Sequence, residues 1–143
     1  MTVAGVVLGF LIALQTTTTS QTGPAVRTFA HGTDSHISVH REVVARTAGW
    51  WQFIWHEHTG SFTPPAIDFS RTIVVGVFAG QAAAGTSIEI TSVTQDGRAT
   101  TVYYREHRPA TGSTDKARST SPFHLVIVPA NRSTVTFVKL TGS

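Results

Sequence analysis

Seven histidines and eight carboxylates in 143 residues, with no cysteine, set the chemistry this chain can attempt. Without cysteine there are no disulfides, thiolate zinc sites, iron–sulfur clusters or thiol nucleophiles. His56 and His58 lie two apart on a segment of helical periodicity, so their side chains point about 200° apart and cannot share an ion there. Around them, His56-Glu57-His58-Thr59-Gly60 has glycine where an H-E-x-x-H zinc site needs its second histidine. His36 and His40 have the i, i+4 spacing, with His31 nearby, but their segment lacks a helical pattern and no carboxylate cluster completes the set. The expectation is no metal and no cofactor.

Nucleophilic catalysis has no marker either. There is no G-x-S-x-G elbow, and the adjacency of Asp34, Ser35 and His36 is no evidence for a triad, which assembles in space. Among the acids, Asp68 stands out, between a Pro-rich loop and a long apolar run. Two readings follow from that position. A carboxylate there caps the backbone N–H groups of a turn, or it joins nearby histidines such as His56 or His58 in a hydrolase or small-ligand site. Gly80-Gln81-Ala82-Ala83-Ala84-Gly85-Thr86 has the spacing of a glycine loop but lacks the lysine that neutralises phosphate. No catalytic residue is assigned.

Charge excludes a further class. Eleven Lys and Arg against eight Asp and Glu give a net charge of only +3. The basic residues are spread along the chain instead of being gathered on one face, as nucleic-acid binding requires. Residues 3–14, VAGVVLGFLIAL, form an uncharged apolar run. It is shorter than the roughly 20 residues that span a bilayer, and matches the apolar core of a secretory signal peptide. The alternative is a buried N-terminal strand. The Thr/Ser-rich stretch after it reads as a linker, so the division expected is a signal-like segment and linker over 1–24 and a folded domain over 25–143. Membrane contact is expected at most through the N-terminal segment.

The elements that must position these residues follow from periodicity. Arg41 to Arg46 reads as a short strand. Thr47 is an N-cap for a helix over about residues 48–58, closed by Gly60. Trp51, Ile54, Trp55 and His58 share one helical face, widened by Trp50 and Phe53. Three Trp in six residues are mostly core, unless one stays exposed as a protein- or carbohydrate-contacting platform. Thr72 to Gly80 is almost continuously apolar, as in a strand buried on both faces. Ser87 to Thr94 and Arg98 to Arg105 flank Asp96-Gly97, a hairpin signal. A Gly/Ser/Thr/Pro-rich loop over Pro109 to Pro122 leads to strands at Phe123 to Val128 and Thr134 to Leu140, connected by a turn at Pro129-Ala130-Asn131-Arg132. Most links in the domain are expected to be short and antiparallel. The sum is a single α+β domain: a mainly antiparallel sheet of five to seven strands packed with one Trp-rich helix.

The ordered set of Trp51, Trp55 and His58, then Pro64-Pro65-Ala66-Ile67-Asp68-Phe69-Ser70-Arg71, Ser87-Ile88-Glu89-Ile90, Tyr104-Arg105-Glu106, and Thr120-Ser121-Pro122-Phe123-His124-Leu125-Val126-Ile127-Val128-Pro129 resembles the C-terminal domain of the PrcB family of protease complex subunits. The likeness covers roughly residues 41 to 139. It implies a small, exported bacterial protein without catalytic residues, acting as an accessory or stabilising subunit of a secreted, extracytoplasmic protease. In this resemblance Trp51, Trp55, Pro65, Asp68, Phe69, Pro122 and Pro129 are motif residues with structural roles. The family's turn after the central strand is similar to Thr-Gly-Gly-Tyr. Here the loop keeps Gly85 and lacks the aromatic. Gly80, Gln81, Gly85 and Thr86 are the candidate partner contacts, by analogy with the inserted loops of chagasin-like inhibitors. The expected function is a non-enzymatic protein-binding domain.

Overall fold

The computed structural model describes residues 26–110 and 118–141. The apolar segment, the linker and part of the Pro109 to Pro122 loop lie outside the described residues. Nine strands and one helix follow in order: β1 (Arg27–Gly32), β2 (Arg41–Ala45), α1 (Ala48–Thr59), β3 (Thr72–Phe78), β4 (Ala82–Ala83), β5 (Ser87–Gln95), β6 (Ala99–His107), β7 (Ser119–Thr120), β8 (Phe123–Pro129) and β9 (Thr134–Lys139). The fold is α+β, mostly antiparallel, with one short helix.

The strands form a four-stranded sheet in the order β1-β8-β3-β2, a three-stranded sheet β5-β6-β9, and a two-stranded clip β4-β7. Between these strands every pairing is antiparallel except β6 with β9, and an isolated parallel bridge joins Asp34 to Ser121. The apolar run of β3 makes the reason for this layering plain. Ile73, Val75 and Val77 point to one side, where they meet Ile88, Ile90 and Val93 of β5 and Val102 and Tyr104 of β6. Val74 and Phe78 point to the other, where they meet Trp51 and Ile54 of α1. β8 divides in the same way, with Val126 and Val128 on the sheet side and Phe123 and Leu125 on the helix side. Helix, four-stranded sheet and three-stranded sheet are therefore three layers over a shared middle.

The expected helix forms for the expected reasons. Thr47 Oγ1 accepts the Trp50 N–H at 3.2 Å, and Gly60, at φ 80°, turns its N–H onto the His56 carbonyl at 2.7 Å. The bulge between Ile90 and Ser92 inserts one residue into β5. It shifts the inward phase from Ile88 and Ile90 to Val93.

Three expectations need correcting. Nine strands replace five to seven, because β4 and β7 are two residues each, below any periodic signal, and β1 is an edge strand bulged between Thr28 and Ala30 without clean alternation. One sheet becomes several, because β3 and β8 need cover on both faces. The Pro129-to-Arg132 turn does not make an antiparallel link between sheet neighbours. It sends the chain across to the other sheet, where β9 runs parallel to β6. The Arg46 guanidinium holds that crossing by donating to the Asn131 carbonyl and, at 2.6 Å, to the Ser133 carbonyl.

Gly76 sits at the centre of the helix-side face. A Cβ there would lie 2.3 Å from Leu125 Cδ2 and 3.2 Å from Val43 Cγ2. Leu125 is fully buried and has nowhere to retreat. Gly76→Ala is expected to lower stability by about 1–3 kcal/mol, read as a lower urea midpoint at unchanged slope. An unchanged midpoint would mean that this layer is not close-packed.

Candidate functional site

The sequence-named loop after β3 is pinned on both sides. Gly80 adopts φ 78°, and a Cβ there would come within 2.6 Å of the His40 nitrogen. The Gln81 N–H donates to the Ser38 carbonyl at 2.9 Å, and Gln81 Nε2 to Ser119 Oγ at 3.0 Å. β4 then pairs with β7, Ala82 opposite Thr120. Gly85, at φ 86°, passes against Pro109, and Thr86 is buried. Both glycines thus serve turn geometry and close approach. Gln81, Ala82 and Ala83 are left to line one wall of a cleft of about 560 Å³.

The facing wall is charged. Glu106 accepts Lys139 Nζ at 2.6 Å and Arg108 Nε at 3.1 Å. The Lys139 bond is the main reason its carboxyl lies below the ordinary glutamate range. His40 completes the rim. It stacks on Tyr104, with ring centroids 6.3 Å apart, and the Tyr104 hydroxyl donates to Glu42 Oε1 at 3.2 Å. Burial, then the neighbouring Glu42 carboxylate, pushes the Tyr104 phenol up to about 12.

Asp68 follows the turn reading. Its Oδ1 accepts the Ser70 N–H at 3.0 Å and the Ser70 hydroxyl. Its carbonyl accepts the Arg71 and Thr72 N–H groups at 3.1 and 2.9 Å. The carboxylate starts β3 and makes no hydrogen bond to His56 or His58. The other motif residues also make contacts within the fold. Trp51 Nε1 donates to the Pro65 carbonyl at 3.0 Å, which straps the Pro-rich loop over α1. Trp55 and Phe69 are partly buried against the helix-side core. The Pro122 carbonyl accepts the Ala79 N–H at 2.9 Å, and the Pro129 carbonyl accepts Gln95 Nε2 at 3.0 Å.

Two buried histidines do more than sequence reasoning assigned them. His124 Nδ1 accepts the Ile90 N–H at 2.8 Å, so its proton sits on Nε2, which donates to Thr28 Oγ1 at 3.0 Å. One imidazole therefore ties β8 to β5 and β1. His58 Nδ1 lies 2.9 Å from Ser35 Oγ, a separation that fits a nucleophile and its base. Both residues are buried, however, and Ser35 Oγ also accepts the Ile37 N–H at 3.1 Å. Phe123 and Trp55 pack against the imidazole, so the pair is an anchor beneath α1. Among the described residues no group of three or more His, Asp or Glu is placed to hold a metal ion.

Among the described residues the exposed large aromatic side chains lie elsewhere. Trp50 and Phe53 on the outer face of α1 are 50% and 49% exposed and stack with centroids 5.1 Å apart. Phe62, 65% exposed, stacks on His56, and Gln52 Nε2 donates to its carbonyl at 2.9 Å. The helix thus carries an outward aromatic stripe opposite its buried Trp51 face, with Trp50 the half-exposed member of the three Trp.

Burial lowers the proton affinity of both His58 and His124. The unfolded chain therefore binds more protons in mild acid, and their contribution to stability is complete above the unfolded value of about 6.5 and is lost as pH falls toward the folded values. Glu106, also lowered, adds a further loss below the ordinary carboxylate range. The urea midpoint is expected to be flat from neutrality to about pH 9 and to decline below about pH 6.5, and the raised Tyr104 phenol adds a second decline above about pH 10. His124→Gln, which can keep both hydrogen bonds, should make the mild-acid decline shallower. Identical profiles would remove His124 from this account.

No curated protein and no solved structure matches the chain. The family model described as PrcB C-terminal matches residues 73–129, a span that runs from β3 to the end of β8 and includes the loop wall of the cleft and the Pro122-to-Pro129 motif, while Asp68 and the Trp helix lie just before it. Over that span, which holds β3 and β8, the chain is similar to the PrcB C-terminal family.

Proposed function

We propose that this chain is a non-enzymatic, exported protein-binding domain that acts as an accessory or stabilising subunit of a secreted bacterial protease complex. The family match over residues 73–129 carries the reading, since that family suggests association with a protease complex. The surface chemistry agrees with it. Exposed, pre-stacked aromatics are what protein interfaces use as anchors, since they bring large contact area at little entropic cost. Trp50, Phe53 and Phe62 form such a set, held in place by the helix and the Gln52 bond. The cleft beside Gln81 and Thr86 is the second contact element in this proposal, with Gly80 and Gly85 shaping its wall.

The test is capture. The immobilised full chain is exposed to the extracytoplasmic fraction of its source, and what remains is identified by mass spectrometry. A secreted protease is expected in stoichiometric amount. The Trp50→Ala/Phe53→Ala variant should weaken its retention about tenfold or more, with a stability change of about 1 kcal/mol or less because both rings are half exposed. Retention of no protease, or equal retention by the variant, contradicts the reading or its contact face respectively.

A further inference from the structure

A sheet edge is a row of unpaired N–H and C=O groups that invites another strand, and proteins blunt such edges with bulges, charges, prolines or short length. Of the four outer strands of the two larger sheets, three are treated in that way. β1 is bulged between Thr28 and Ala30. β5 is bulged between Ile90 and Ser92, and its Ile90 N–H is occupied by His124. β2 has five residues, opens on Arg41-Glu42 and is followed by Arg46. β9, Thr134-Val135-Thr136-Phe137-Val138-Lys139, has no bulge and no proline, and pairs with β6 in unbroken register. Its one charge, Lys139, is turned onto Glu106.

The phase of its backbone is fixed by one bond, the Leu140 N–H donating to the Tyr104 carbonyl at 2.7 Å. Because strand groups alternate sides, Val138 and Thr136 also face β6, and Val135, Phe137 and Lys139 turn their N–H and C=O groups outward. Among the described residues no strand pairs with that edge. At its Lys139 end two clefts, of about 560 and 320 Å³, share Glu106, Arg108 and Lys139. Two cations there divide one carboxylate, which leaves positive charge at the point where an added strand would begin.

We propose that the β9 edge accepts an extended, acidic segment of a protein partner as an added antiparallel strand, its backbone paired with Val135, Phe137 and Lys139 and its acidic N-terminal end beside Arg108 and Lys139. This deepens the protein-binding reading and rests on it. Backbone pairing supplies the affinity and the cationic end supplies direction.

The test uses the isotope-labelled full chain and a synthetic peptide of about ten residues, alternating valine and threonine with glutamates at its N-terminal end. Saturable binding is expected to slow amide exchange at Val135, Phe137 and Lys139 while Thr136 and Val138 are little changed. N-methylation of alternate peptide residues should weaken binding by about tenfold or more, as should Arg108→Glu, whose side chain is largely exposed and whose replacement spares the fold. Absence of binding, binding without slowed exchange at those three amides, or binding indifferent to N-methylation would overturn the proposal. So would protection of the same amides by raising protein concentration alone, which would assign the edge to a second copy. Protease retention without peptide binding removes the edge and leaves the accessory-subunit reading; peptide binding without a retained protease does the reverse.

Discussion

A strand with no polar side chain from Ile73 to Phe78 must be covered on both faces, and the rest of this molecule is the means of covering it. Each buried Val, Ile or Phe contributes about 1.5–3 kcal/mol relative to exposure, and β3 presents such groups to both sides. One cover is α1, delivered by β2 and held by the Thr47 cap and the Trp51–Pro65 strap. The other is the β5–β6 hairpin, brought over the opposite face with β9 added beside it. β8 lies next to β3 and shares the same requirement, so the pair is a common spine for two cores.

Polar groups inside this arrangement serve the joints between layers. His124 links three strands from two sheets through two ring nitrogens. His58 and Ser35 fasten α1 to the segment before β2, and Thr100 and Ser133 pair within hydrogen-bond reach, 2.6 Å apart, near the crossing into β9. Among the described residues no buried side-chain nitrogen or oxygen lacks a partner. These groups hold the layers in place, and the chemistry open to a partner is left at the rim: the cleft between Gln81 and Glu106, the outer face of α1, and the edge of β9.

Much of this was legible where local physics decides. Thr47, Gly60 and the spacing of Trp51, Ile54 and His58 define the helix, and the unbroken apolar run of β3 announces burial on both faces. Asp68 before Ser70 likewise reads as a turn carboxylate, and the Pro122-to-Pro129 motif lies within the matched family span. What was hidden depends on long-range pairing. Nothing in Arg27–Gly32 marks a strand until β8 supplies its partner. The direction of β9 depends on Arg46 holding carbonyls 85 and 87 residues away. Tyr104 and Glu106 stand in a family-like motif, but their pairing with Glu42, 62 residues away, and Lys139, 33 residues away, builds a cleft wall that no local pattern shows. The approach of Gly80 to the Ser38-to-His40 backbone and of Gly85 to Pro109 is likewise long-range and has no local pattern.

The β3–β8 pair is the spine on which both outer layers depend. Native-state amide exchange measured across low urea concentrations tests this dependence most directly. Val74 to Val77 and Leu125 to Val128 are expected to exchange only through global unfolding, with the largest urea dependence, while α1 and the β5–β6–β9 sheet open at equal or lower free energy. Slower exchange in the three-stranded sheet than in β3 and β8 would contradict it and make the hairpin layer, not the shared strands, the element that holds the fold together.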